Sequence, residues 1–184
     1  LAHATVTDLA AQRLWHEQRI ARSGFGLAQA SEHDTAVQVR DWSLQREAGR
    51  YRAHVRAADW GFDLSLKPRQ TRLLQGEQGR SRKGPQAQHF SYYYTEPQLE
   101  VSGTLTRRGE TAAQPVQGRA WLDHECSQAL MPPAAVGWDW IGMNLSDGSA
   151  LTAFQMRSPT GQALWVGGSF RSALAGAQPI KLGP

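Results

Sequence analysis

The chain alternates between apolar and polar positions with a period of two. Tyr51, Ala53, Val55 and Ala57 are interleaved with Arg52, His54 and Arg56. After Ala58-Asp59 the pattern resumes as Trp60, Phe62, Leu64 and Leu66 against Gly61, Asp63 and Ser65. Successive strand side chains point to opposite faces, so strict alternation on both sides of a short break predicts an antiparallel hairpin with one wet face. Leu99, Val101 and Leu105 against Glu100, Ser102, Thr104 and Thr106 predict a further strand, and residues 116–122 another. Residues 138–145 and 151–157 flank Ser146-Asp147-Gly148-Ser149, where Asp-Gly favours the positive φ of a tight hairpin turn. Residues 162–166 form a strand after the Pro159-Thr160-Gly161 turn.

Two segments are harder. Residues 35–44 predict one bulged strand, because Val37 and Val39 differ in parity from Trp42 and Leu44. Residues 9–21 are the one candidate helix, but their apolar spacing is poor and they read as strand or irregular chain. Residues 76–88 form the longest polar loop and residues 173–184 a tail. Strand signals recur about every 8–12 residues, without a repeat or linker, which predicts one all-β domain over residues 1–184: an antiparallel barrel or sandwich.

Composition narrows the function classes. With 184 residues, 40% hydrophobic and 20% charged, the chain has the material for a real core, which excludes wholesale disorder. A single Cys excludes an internal disulfide framework and any Cys-only zinc site. The six His residues are scattered, and no pair has metal-ligand spacing, so no metal is expected. No apolar run approaches the roughly 18 residues of a membrane helix. Leu1 does not read as a natural start, so the chain reads as a processed form or an excised piece.

The net charge of +4 is uneven: Lys67, Arg69, Arg72, Arg80, Arg82 and Lys83 face Glu77 alone between residues 67 and 83. Such a loop can meet phosphate or an anionic surface, although charge runs more often simply solvate. Gly79 and Gly84 carry the spacing of a phosphate loop, but Pro85-Gln86 stand where it requires Lys and Ser or Thr. No nucleic acid is expected as a partner.

The segment Trp121-Leu122-Asp123-His124-Glu125-Cys126-Ser127 is the richest chemically. Strand parity places His124 with Val116, Ala120 and Leu122 on the inward face, and Asp123 and Glu125 on the other. An inward His could act as acid or base. Asp139 shares a face with Ile141, Met143 and Leu145 and needs a partner if buried. The structural alternative is that His124 and Asp139 satisfy each other or the backbone. Cys126 reads as an inert small residue. Trp121, Trp138 and Trp140 are core residues or the wall of an apolar ligand site. Tyr92 and Tyr94 share one strand face and Tyr93 takes the other. The face of Tyr92 and Tyr94 is the pocket candidate, against simple edge packing with wet hydroxyls.

Four blocks give a resemblance: Leu1-Ala2-His3-Ala4, Tyr92-Tyr93-Tyr94-Thr95-Glu96-Pro97, Gly118-Arg119-Ala120-Trp121-Leu122-Asp123-His124-Glu125 and Gly137-Trp138-Asp139-Trp140-Ile141. In order and approximate spacing they resemble the lipocalin-like family of AttH and carotenoid 1,2-hydratase (hydroxyneurosporene synthase) relatives, many of them described as predicted secreted hydrolases. The resemblance implies two tandem lipocalin-like barrels, of which this chain matches most of the first without its opening strands. A second lipocalin-like domain or partner chain, and a periplasmic or exported location, are implied with it. In the hydratase branch, water is added to a terminal double bond of an acyclic carotenoid without a cofactor, by a His-x-Trp pair and a later Tyr-x-Asp pair. Here His124 fills the His position, Cys126 stands at the Trp, and Phe154-Gln155-Met156 stand where Tyr-x-Asp falls. These departures move the chain toward the AttH-like branch.

The expectation is therefore a lipocalin-like protein that binds a hydrophobic small molecule, a lipid or terpenoid. Tyr92, Tyr94, Trp121, Trp138, Trp140 and Phe154 are its ligand-binding candidates, and His124, Asp139 and Glu125 its catalytic candidates. Two alternatives stand beside it: a cofactor-free hydratase, isomerase or cyclase using His124 as acid/base, and an anionic-surface or nucleic-acid binder acting through residues 67–83. A barrel plugged by its own side chains, serving as a structural partner of the missing half, is the remaining one.

Overall fold

The computed structural model describes residues 1–108, 112–128 and 131–183. Every strand pairing among them is antiparallel and no helix occurs, so the all-β expectation holds. The chain forms two compact units: Leu1–Lys67 with Glu100–Gly118, and Pro68–Leu99 with Arg119–Pro184.

In the first unit, β1 (Ala2–Asp8) and β2 (Arg13–Arg19) form a hairpin in register from Ala2↔Arg19 to Asp8↔Arg13. The Asp8 carboxylate accepts from the Ala11 amide at 3.0 Å and closes the turn. Residues 9–21 are thus largely strand, and the weak helical reading disappears. A meander follows: β3 (Ala28–Ala30), β4 (Ala36–Val39), β5 (Trp42–Glu47), β6 (Arg50–Arg56) and β7 (Trp60–Lys67). The hairpin expected across residues 51–66 is β6–β7, paired from Tyr51↔Leu66 to Arg56↔Gly61.

The bulged strand expected over residues 35–44 is instead two strands. Val39 pairs with Trp42 across a two-residue turn, and Arg40 takes φ 57°. The parity switch was a reversal of the chain, made at a residue that seldom adopts the left-handed region. Trp42, Val55 and Trp60 are buried at the centre of this unit, with Ala2, Ala4, Val6, Trp15, Ala57 and Phe62 packed against them. The Trp42 indole N–H donates to the Arg56 carbonyl at 2.6 Å, so this large ring is buried without an orphaned donor.

In the second unit, β8 (Leu73–Leu74) and β9 (Arg80–Arg82) pair with the first half of β10 (Phe90–Arg107), and β11 (Gln114–Cys126) is the neighbour of β10. A separate sheet runs β12 (Gly137–Asn144), β13 (Ala150–Arg157), β14 (Ala163–Arg171), β15 (Ile180–Leu182). The Asp-Gly hairpin is β12–β13, ending at Asn144↔Ala150. The polar loop of residues 76–88 contains β9, and the tail contains β15.

Pro97 and Gln98 interrupt the pleat of β10. Proline has no donor for a ladder, Gln98 takes φ 55°, and its amide donates to the Asn144 side chain at 2.7 Å. Every residue from Thr95 to Leu99 is buried, which a one-faced strand would not allow. The basic segment is not a solvated loop. Arg72 bonds Glu96 and lies over Tyr94, Arg80 lies over Phe90, Arg82 over Trp165, and Lys83 is buried.

Candidate functional site

Odd-numbered residues of β10 and β11 build the chemistry of the second unit. Ser91, Tyr93 and Thr95 are buried on one face of β10, whereas Tyr92 is 62% exposed and Tyr94 half-buried on the other. Asp123 and Glu125 share the odd-numbered face of β11 and meet the odd residues of β10. Thr95 Oγ1 donates to Asp123 Oδ1 at 2.7 Å, and Ser91 Oγ donates to Glu125 Oε1 at 2.5 Å.

The inward reading of His124 is therefore corrected. Its ring is exposed and stacks on Tyr94 at 5.1 Å between centroids, on the face opposite Tyr93. The pocket reading of Tyr92 and Tyr94 is corrected with it, because the pleat turns Tyr93 inward in their place. Asp139 is exposed as well, bound to Arg157 at 2.9 Å and to the Gln155 amide at 2.7 Å. His124 and Asp139 thus take separate partners.

A cavity of about 290 Å³ opens over the odd-numbered face. Its walls are Tyr93, Met131, Trp138, Trp140, Phe154 and Met156, and its polar groups come from Lys83, Ser91, Glu125 and Ser127. Of the residues expected from sequence, Glu125, Trp138, Trp140 and Phe154 line it. Trp121 stands edge-on to Trp140 at 6.3 Å, one ring removed. Tyr92, Tyr94, His124 and Asp139 lie elsewhere. A wider cleft of about 640 Å³ runs by residues 70–74 and 176–179. Its cations are committed: Arg171 donates to the carbonyls of Thr71 and Arg72, and Lys181 pairs with Glu77.

Lys83 is the residue that sequence reasoning missed. Its amide donates to the His89 carbonyl at 2.7 Å, closing the loop after β9 and sending the side chain inward. Its Nζ lies 2.7 Å from Glu125 Oε1, 4.3 Å from the Phe154 ring centre and 4.8 Å from that of Tyr93. An ammonium loses heavily on leaving water unless it is paired, and one carboxylate with two ring faces replaces that hydration.

Tyr93 is the other residue missed. Its hydroxyl accepts from Trp140 Nε1 at 3.1 Å. Burial pushes its ionisation well above the ordinary tyrosine range, and the negative charge of Asp123 pushes in the same direction. The group is therefore a neutral phenol throughout the physiological range. Behind it runs a buried polar chain: Ser169 Oγ donates to Gln75 at 2.9 Å, Gln75 Nε2 to Thr95 at 3.1 Å, and Thr95 to Asp123. Each member fixes the next, which holds the Tyr93 wall in one orientation. Among the described residues, no three His, Cys, Asp or Glu side chains gather as a metal site, and no helix is long and apolar enough to cross a membrane.

Comparison with known proteins follows this geometry. The family model described as AttH-like matches residues 1–183. A crystal structure assigned as an AttH from Nitrosomonas europaea superposes with a TM-score of 0.89 at 45% identity, over 99% of this chain and 56% of that one. Kievitone hydratase from Nectria haematococca superposes with a TM-score of 0.70 at 16% identity, over 98% of this chain and 54% of that one. The second similarity is one of fold. The chain spans about half the length of both structures. No curated protein sequence matches it significantly.

Proposed function

The chain belongs to the AttH-like family, and from that premise we propose that its second unit binds a hydrophobic small molecule of lipid or terpenoid type. The observation that carries this reading is the cavity of about 290 Å³ with six apolar or aromatic walls and one ion pair. Ligand sites are concave, mostly apolar, and oriented by a few polar groups. The volume sits at the small end of the roughly 300–1,000 Å³ such sites span. The occupant is therefore a single ring or a short prenyl group, and a long polyene would enter only by its end.

Two tryptophans in the wall supply the assay. Titration with a short terpenoid should quench or shift tryptophan fluorescence, and Trp140→Ala should weaken binding by about tenfold or more through lost contact area. Saturable binding that is indifferent to Trp140→Ala would place the ligand elsewhere and end this reading.

A second reading, cofactor-free hydration, isomerisation or cyclisation, is favoured by the carboxylate and ammonium set into an otherwise aromatic chamber. Glu125 and Lys83 are its acid–base candidates inside the cavity, with His124 the candidate outside it. Turnover of an acyclic terpenoid by the parent, Glu125→Gln and His124→Ala proteins separates them, and binding without turnover in the parent removes this reading.

A further inference from the structure

The charge balance of the cavity says what kind of head group it reads. Among the described residues Lys83 is its one cation and Glu125 its one anion, and they are bound to each other at 2.7 Å. Both Lys83 Nζ and Ser91 Oγ engage Glu125 Oε1, which leaves Oε2 without a hydrogen-bond partner among the described residues. The faces of Tyr93 and Phe154 lie against the same ammonium at 4.8 and 4.3 Å, and of its three N–H groups the ion pair uses one.

We propose that the pocket selects neutral hydroxylated hydrophobes, such as terpenoid alcohols, over carboxylated ones such as fatty acids, with the Lys83–Glu125 pair as the reading group. The inference rests on the ligand-binding reading above. A hydroxyl is both donor and acceptor. It can donate to Glu125 Oε2 and accept from the Lys83 ammonium without breaking the pair. An ionised carboxylate can only accept. To reach Lys83 it must displace Glu125 or settle beside it, and two adjacent carboxylates repel even though the Glu125 side chain is 44% exposed. A hydrocarbon makes neither contact and leaves Oε2 unmatched on desolvation. The pair that cancels the pocket's charge is thus also what refuses an acid.

The experiment uses geraniol, geranic acid and the hydrocarbon myrcene, titrated into the whole chain at pH 7 with tryptophan fluorescence as the readout. Geraniol should bind at least about tenfold more tightly than geranate, the scale of one hydrogen bond to a charged group, with myrcene between them. Glu125→Gln leaves Lys83 without its counter-charge, so geranate should gain about tenfold and the preference for geraniol should largely disappear. Lys83→Met should weaken geraniol and leave geranate excluded. Myrcene binding must persist in both variants, which certifies that the apolar chamber is still formed. If one of these substitutions abolishes myrcene binding, Lys83→Gln or Glu125→Ala replaces it in the same comparison. Equal affinity for all three probes, or a preference of the parent for geranate, overturns the selectivity while the ligand reading stands. Failure of every probe to bind overturns the ligand reading itself.

Discussion

Replacing Tyr93 by Phe removes one oxygen and leaves the ring, so it isolates the hydroxyl. At neutral pH the loss has two parts. The Trp140 indole loses its acceptor at 3.1 Å, a neutral hydrogen bond of about 1 kcal/mol. The contact with Asp123 involves a charged partner and contributes about 1.5–3 kcal/mol. Because Trp140 is 44% exposed, water recovers part of the first term, so Tyr93→Phe should cost about 2–3 kcal/mol. The deficit should also depend on pH, with a definite sign. The folded state holds the Tyr93 proton above the ordinary tyrosine value of 10.0. Above that value the unfolded chain has released a proton that the folded chain still binds, so rising pH favours unfolding. The parent should therefore lose about 1.4 kcal/mol relative to the variant between pH 8 and pH 11, nearly all of it above pH 9.5. Urea unfolding followed by far-ultraviolet circular dichroism at half-unit pH steps reads this directly. A deficit that stays constant from pH 8 to pH 11 would mean that Tyr93 ionises like a surface phenol, and would refute the buried-wall argument.

Two further outcomes test the first unit. Trp42→Ala empties the centre of the Trp42–Val55–Trp60 cluster and removes one of the two donors to the Arg56 carbonyl, Arg19 keeping the other, and should cost about 3–5 kcal/mol in urea unfolding, with Trp42→Phe costing clearly less. Asp63 is held below the ordinary carboxylate range, first by the Arg56 guanidinium and then by His54, with burial opposing both. A lowered carboxylate contributes stability above its unfolded value of 3.8 and loses it as pH falls through the lower folded value. Asp63→Asn should therefore be destabilising at pH 7, and the difference should shrink as the pH falls below 3.8. Since the side chain is 49% exposed, the difference should stay under about 1 kcal/mol in paired urea midpoints.

Most of the sheet architecture was legible because period two is a strong signal wherever one face stays wet. The β6–β7 and β12–β13 hairpins show this, the second helped by an Asp-Gly turn. Legibility failed where the chain used an unadvertised device. The Arg40-Asp41 turn lacks the Gly or Asn that announces a positive φ, so a reversal looked like a bulge. Around Tyr93 the alternation itself was visible, but with aromatic residues at 92, 93 and 94 it could not say which parity was buried. Apolar Ala120 and Leu122 share the parity of His124 and so point to the even-numbered side as the inward one. The structure buries both faces of β11 partially at residues 120–122, so those positions carry no information about which side His124 takes. Lys83 was invisible for a different reason. Its burial follows from a loop closed on His89 and from ring faces supplied by Tyr93 and by Phe154 on β13, and no local pattern encodes that meeting.

The choice of lysine at that position is itself informative, since 17 of the 20 basic residues are arginine. The neighbouring Arg82 shows what arginine needs. Its guanidinium donates to the carbonyls of Gly84 and Pro85 and lies over the Trp165 ring, and even there its buried Nε finds no acceptor among the described residues. Inside the cavity the acceptors are fewer. One carboxylate oxygen of Glu125 is already shared with Ser91, its other oxygen and the Ser127 hydroxyl are the remaining side-chain acceptors, and the walls are aromatic or apolar. A guanidinium there would carry five N–H groups into a chamber that can match only a few, and each unmatched buried donor costs about 1–3 kcal/mol. An ammonium carries three. One goes to Glu125, and the ring faces of Tyr93 and Phe154 receive the charge. Its four-carbon stem also lies along apolar wall without adding polar atoms. Lysine is thus the cation that this pocket can hold without closing it, and it keeps donor capacity for an occupant that brings its own acceptor.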